Sequence, residues 1–321
     1  MLIDDLHKEE KQMIEQLISN FSLRTLFTPE LIVILALIAL VYFMLIGRWR
    51  HRFEGSAPVE ARRKIFFLIG LFFLYLGWGS PLYTAGHLMF SFHMLQMVFA
   101  YLAAVPLLIL GLPRWFFEAI IARYRENRFL KRLAKILFNP LVGLLFFNGL
   151  FSFYHIPAVF DYLMPRLILH DLYQVSMLIA AFLMWWQMLA PLPQATKLSH
   201  LRRIGFVFAS GFLILPACAL IIFASTAVYN VYTDPMIWAQ TMTYCFPAGM
   251  DIPYGLFTGP ESFSPLTPRL DQQLAGVLMK VLQEVSYGAT IGVAFRQWVR
   301  REKQSDGPSI SDIPVAPNLI K

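Results

Sequence analysis

Met89, His93 and Met97 carry the first chemical signal in the chain, at i, i+4 and i+8. On an unbroken helix these three side chains share one side. An imidazole between two thioethers is a soft donor set, suited to Cu(I) and poorly suited to Mg²⁺ or Ca²⁺. Methionine is also a common gap-filler of apolar helices, and the chain has 14 of them. Spacing alone therefore leaves both a ligand stripe and a core stripe open.

Further polar residues recur at comparable positions. Gln96 lies within the same run, SFHMLQM at 91–97. His155 sits in FYHIPAVFD, directly before a helix-ending Ile156–Pro157 pair. His170, Asp171 and Gln174 open the run LHDLYQVSM, where His170, Gln174 and Met177 fall on one helical face. Asp271, Gln272 and Gln273 begin the last long apolar run. Polar residues also collect near span ends because water and headgroups solvate them there. The convergence of three histidines is what favours a site, since buried polar groups in membranes are costly and line functional cavities.

The elements that position these residues follow from composition. Of 321 residues, 57% are hydrophobic and 15% are charged, a balance that a water-soluble fold cannot conceal. Seven stretches reach the roughly 20 apolar residues needed to cross a bilayer. They lie at about 30–48, 65–84, 88–112, 136–156, 168–190, 204–229 and 273–297. The expected fold is an all-α integral membrane protein, a bundle of seven transmembrane helices over 30–299. An extracytoplasmic segment, 1–29, would precede it and a cytoplasmic tail, 300–321, would follow.

Lysine and arginine set the orientation. Arg48, Arg50, Arg62 and Arg63 follow the first span, Arg123, Arg128 and Lys131 the third, Lys197 and Arg202 the fifth, and Arg300 and Arg301 the seventh. The opposite side has few, chiefly Lys8, Lys11, Arg24, Arg166 and Arg269. This predicts the N-terminus outside and the C-terminus in the cytoplasm, which puts His93, His155 and His170 in the outer half. The inner halves of the third to fifth spans read as almost purely apolar. Lys280, nine residues beyond Asp271, would lie about 13 Å deeper and should face the bundle and pair with Glu284 one turn on.

Several classes are excluded. With two cysteines, Cys218 and Cys245, and no CxxC, zinc ribbons and thiol redox motifs are absent. The net charge of +7 gathers at span ends, so it does not imply nucleic acid. No nucleophile, base and oxyanion arrangement is visible, which argues against an enzyme. The first residues, MLIDDLHKEEKQMIEQL, are mixed in charge and unlike a cleavable signal peptide. A Pro- and Gly-rich outer connection, 230–270, contains Met242, Cys245 and Met250, a weak thiol–thioether candidate.

The runs SFHMLQM, FYHIPAVFD, HDLYQ at 170–174 and PLTPRLDQQLAGVLMK at 265–280 together resemble the seven-span cytochrome c oxidase assembly factors called CtaG in Gram-positive bacteria. The resemblance spans most of the chain, and relatives commonly carry histidine where this chain has Met97 and Gln174. It implies a multi-pass protein of the bacterial cell membrane that matures a haem–copper oxidase through copper supply. The expected partners are oxidase subunits, a copper chaperone and the bilayer. On that reading His93, Met97, His155 and His170 ligate Cu(I). Asp171 and Asp271 would fix imidazole tautomers, with Gln96 and Gln174 also beside the ligands. A b-type haem carrier with His93 and His170 or His155 as axial ligands, and a copper permease, remain as alternatives.

Overall fold

The computed structural model describes residues 21–192, 198–242, 264 and 266–305, and every long element among them is a helix. A short α1 (Leu23–Phe27) leads into α2 (Pro29–Ile46). Next come α3 (Ala61–Trp78), α4 (Pro81–Leu88), α5 (Phe90–Met97) and α6 (Val105–Gly111). On the basic side lie α7 (Arg114–Glu126) and α8 (Arg128–Leu137). The second half holds α9 (Pro140–Tyr154), α10 (Pro157–Leu163), α11 (Leu167–Leu189), α12 (His200–Leu213) and α13 (Leu215–Phe223). Last are α14 (Pro235–Met242) and the 38-residue α15 (Pro268–Ser305).

The protein is an all-α membrane protein. Five stretches are long and apolar enough to cross a bilayer: Leu23–Ile46, Ala61–Leu88, Phe90–Gly111, Leu167–Leu189 and His200–Phe223. A sixth forms if α8 and α9, bent by 62°, act as one. The bend falls where Asn139 caps α9 and Pro140 takes its first position, so α8 cannot continue straight. None of the side chains of α8 is buried, and its basic residues alternate with exposed Phe129, Leu133 and Ile136.

The third crossing is the axis of the bundle. Its helices pack on α3, α11 and α15, whereas α2 packs chiefly on α3 and stands at the edge. Between α5 and α6 the backbone widens into a π-helix, Val98–Ala104. Pro106 explains it: proline cannot donate to a carbonyl one turn back, and its ring collides with that turn. The Trp185 indole N–H donates to the Tyr101 carbonyl at 2.9 Å, satisfying backbone that the widened turn exposes.

Two expectations change here. The stretch 88–112 is not one regular helix, because Met89 is extended (φ −136°, ψ 137°) and the chain reverses at it. Met89 therefore leaves the face of His93 and packs with Leu26, Leu88 and Met242 in a separate cluster. The crossings are also not purely apolar away from the histidines. Buried Asn148 of α9 donates to Ser210 Oγ (2.9 Å), which bonds Tyr287 Oη (3.0 Å), while Gln187 donates to the Phe138 carbonyl. Each is hydrogen-bonded across helices, the condition for burial in an apolar layer.

Candidate metal centre

Three pieces of local chemistry bring the histidines together. The first is the start of α5. Asp271, in the first turn of α15, accepts from the backbone N–H of Phe90 (2.7 Å) and Ser91 (3.3 Å). A carboxylate from a distant helix thus does the work of an N-cap and matches the helix dipole. Its neighbours hold the other end of the same seam. Gln272 donates to the Ile221 carbonyl (3.0 Å) and Gln273 to that of Ile222 (3.1 Å), both near the C-terminus of α13. Gly276 then lets the backbones close, since a Cβ there would meet Ile222 at 2.6 Å. The Asp-Gln-Gln run is a clamp on two helix ends. Asp271 consequently does not orient an imidazole, contrary to the sequence reading.

The second piece is the α4–α5 reversal. A Cβ on Gly86 would lie 2.5 Å from Gln96 Oε1 and 3.2 Å from the His93 Cα, so any larger residue would have to displace the Gln96 amide and press on the His93 backbone. The Tyr232 hydroxyl donates to the Gly86 carbonyl at 2.6 Å.

The third is a roof. Asp161 of α10 accepts from the N–H groups of Asn230 (3.0 Å) and Val231 (3.1 Å), and the Tyr229 hydroxyl donates to the His155 carbonyl (2.9 Å). Burial pushes the Asp161 carboxyl above its ordinary value, and the two N–H groups pull against that rise. Tyr229 and Tyr232 lie on Phe90 with ring centroids 4.5 and 5.5 Å away, and Phe160 backs them. This covers His93 and His155 from the polar end of the bundle. Of the outer connection, 228–242 supplies the roof; Cys245 and Met250 lie outside the described residues.

Beneath it four imidazoles are buried: His87, His93, His155 and His170. The His93 ring is 6.5 Å, centroid to centroid, from both His155 and His170, and His87 is 5.9 Å from His170. His93 and His170 line a cavity of about 10 Å³ with Gln96, Met97, Gln174 and Tyr154. That is the room of about one water-sized particle. His155 stands beside His93 outside this lining.

The donor atoms are specific. His155 Nδ1 donates to the Phe151 carbonyl (2.7 Å), which leaves Nε2 as a lone-pair acceptor. His155 Nε2, His93 Nε2 and Gln96 Oε1 are buried and have no hydrogen-bond partner among the described residues. Leaving such an atom unsatisfied costs about 1–3 kcal/mol, so three together need an account. Gln96 Nε2 lies 3.4 Å from His93 Nδ1, and Gln174 Nε2 lies 3.2 and 3.3 Å from the two ring nitrogens of His170. Gln96 and Gln174 thus sit on the imidazoles of His93 and His170. Asp171 does not. It is exposed, with no hydrogen bond to an imidazole among the described residues.

No group of three or more His, Cys, Asp or Glu placed to hold a metal occurs among the described residues. A closed tetrahedral site of the zinc type is thereby unsupported. A pair of imidazoles has different needs. With metal–nitrogen bonds of about 2.0–2.1 Å, two rings lie at most about 6.4 Å apart when opposed, and about 5.2 Å apart at a tetrahedral angle. The observed 6.5 Å lies at the upper limit for an opposed pair and is longer than the tetrahedral spacing. Low-coordinate, soft-ligand binding is the habit of Cu(I), and the Met97 thioether on the cavity wall suits the same ion.

The sequence reading left His87, Gly86 and Tyr154 out of the site, although His87 lies close to the other histidines in sequence. His87 lies in a short helix whose approach to His170 depends on the reversal at Met89, which no residue there announces.

The family described as cytochrome c oxidase caa3 assembly factor matches residues 40–301. No curated protein and no solved structure matches the chain.

Proposed function

The chain belongs to the cytochrome c oxidase caa3 assembly factor family, and on that premise we propose that it carries Cu(I) as cargo near the outer membrane face and passes it to the nascent oxidase. The observation that carries this reading is the pair of buried, unpartnered Nε2 atoms on His93 and His155, beside a cavity lined by His170 and Met97. Cu(I) as cargo requires a site that binds without catalysis, and the described residues there offer the lone pair of His155 Nε2 and the Met97 thioether, with no paired nucleophile and base among them. Oxidase subunits are the recipient and a copper chaperone is the donor. The bilayer is that of the bacterial cell membrane.

The proposed topology has seven crossings, with α15 the seventh and the N-terminus outside. At 1.5 Å per residue α15 is about 57 Å long, ample for a crossing although Lys280 and Glu284 interrupt its apolar run. Those two form an ion pair of 2.5 Å on one helix, and Lys280 Nζ also donates across to the Gly211 carbonyl of α12 at 3.4 Å. This is the arrangement of a register lock. The permease alternative loses support there, and the haem alternative loses it at the cavity, where about 10 Å³ leaves no room for a porphyrin.

Metal analysis of protein purified after Cu(I) exposure, with and without His93→Ala, tests the reading. Copper in the parent and none in the variant is the expected result. Equal copper in both, or a haem Soret band in the parent, would overturn it.

A further inference from the structure

A second, larger space adjoins the histidine cavity. It measures about 370 Å³ and lies between the edge helix α2 and α11, walled by Glu30, Ile34, Trp78, Asp171 and Val175. Its inner end is formed by Trp78 and Gln174, which also line the histidine cavity. Two residues therefore separate an open cleft from a buried set of donors.

The separation is a specific contact. Gln174 Nε2 donates to Tyr83 Oη at 3.2 Å, and the Tyr101 hydroxyl donates to the Gln174 carbonyl at 3.3 Å. The first bond joins α11 to α4 through two side chains with free torsions. A rotamer change at Gln174 would break this bond and merge the two spaces. Elsewhere in the wall Tyr154 stacks on Tyr173 at 4.6 Å, and His93 meets Phe160 edge-on at 5.2 Å. The roof is fixed by Asp161. The Gln174–Tyr83 contact closes its part of the wall with a hydrogen bond between two side chains.

The chemistry of the cleft favours a cation. Glu30 and Asp171 stand on opposite walls near its mouth. Glu30 is paired with Arg24, while Asp171 has no ion pair among the described residues. Past the mouth come the Trp78 face, the Tyr83 hydroxyl and the Gln174 amide, then the unpartnered Nε2 of His93. Carboxylates draw in a cation, aromatic faces tolerate it after dehydration, and imidazole with thioether takes the soft ion. A cavity filled only by a lipid tail would not need charge at its mouth.

We propose that this cleft is the entrance through which a monovalent soft cation reaches the histidine cavity, with the Gln174–Tyr83 hydrogen bond closing its inner end. The inference rests on the Cu(I) reading above for its cargo, but its test does not. Met97→Cys, with Cys218→Ala and Cys245→Ser removing the native thiols, places one thiol on the cavity wall. Ag⁺ added to the protein in lipid nanodiscs forms a silver–sulfur bond there and releases the thiol proton. The rate is read as protection from alkylation after denaturation.

Val175→Trp fills the cleft and is expected to slow this reaction by about tenfold or more, a barrier increase of about 1.4 kcal/mol. Ile34→Trp fills it from the other wall, should the first variant fail to fold. Asp171→Asn is expected to slow it by a few-fold at low salt, an effect lost at high salt because exposed charges are screened. Unchanged rates in both Trp variants would overturn the proposal. Cleft-dependent trapping of Ag⁺ in a protein whose parent retains no Cu(I) would uphold the entrance and sink the cargo reading instead.

Discussion

Asp271 Oδ2 accepts the backbone N–H of Phe90 at 2.7 Å across 181 residues of sequence. That bond fixes where α5 begins, and His93 stands one turn later on the same helix. The last long helix, α15, thereby sets the height and rotation of the central imidazole.

Asp271→Ala is expected to destabilise the protein by about 2 kcal/mol, the range for a buried charge-assisted hydrogen bond and a helix cap combined. Asp271→Asn keeps one acceptor and should cost less. Thermal melts in detergent check the order, and Cu(I) retention should follow it because His93 moves with α5.

His93→Ala and His155→Ala are each expected to abolish Cu(I) retention, and His170→Ala to abolish or strongly weaken it. His51→Ala and His200→Ala, on the basic side of the bundle, should match the parent. Equal copper in all five variants would mean that the buried imidazoles serve packing alone.

Gly86→Ala should lower both the melting temperature and the Cu(I) affinity, since its Cβ would press on Gln96 and on the His93 backbone. Gly149→Ala on α9 is the control, because nothing lies within 4 Å of a Cβ there. A parent-like affinity for Gly86→Ala would show that the α4–α5 approach does not hold the site.

Met97→Leu preserves volume and should cost under about 1.5 kcal/mol in packing. Folding is expected to survive while Cu(I) affinity falls. Met44→Leu on α2 should change neither. Unchanged affinity in Met97→Leu would make Met97 a wall residue and leave the imidazole pair without its thioether.

The clustering of His93, His155 and His170 at one end of the bundle was legible because span order gives depth without any tertiary information. The all-α membrane fold was legible for the same reason. The Met89–His93–Met97 stripe was not, because the helix break at Met89 is imposed by Asp271 and by the close approach of Gly86, neither of which is local. Gln272 and Gln273 looked like solvated end residues, yet they satisfy the carbonyls at the end of α13. Asn148 is invisible as a buried polar residue until Ser210 and Tyr287 are brought to it from two other helices. Periodicity reports faces of straight helices; partners across the bundle decide where those helices stop.

The central claim is that one Cu(I) is held between opposed imidazoles with the Met97 thioether nearby. X-ray absorption at the copper edge of the Cu(I)-loaded protein tests it most directly. The account predicts a low-coordinate Cu(I) edge, imidazole scattering from two rings at about 2.0 Å, and a sulfur contribution that disappears in Met97→Leu. A copper shell without imidazole scattering, or one unchanged by His93→Ala and His155→Ala, would contradict it.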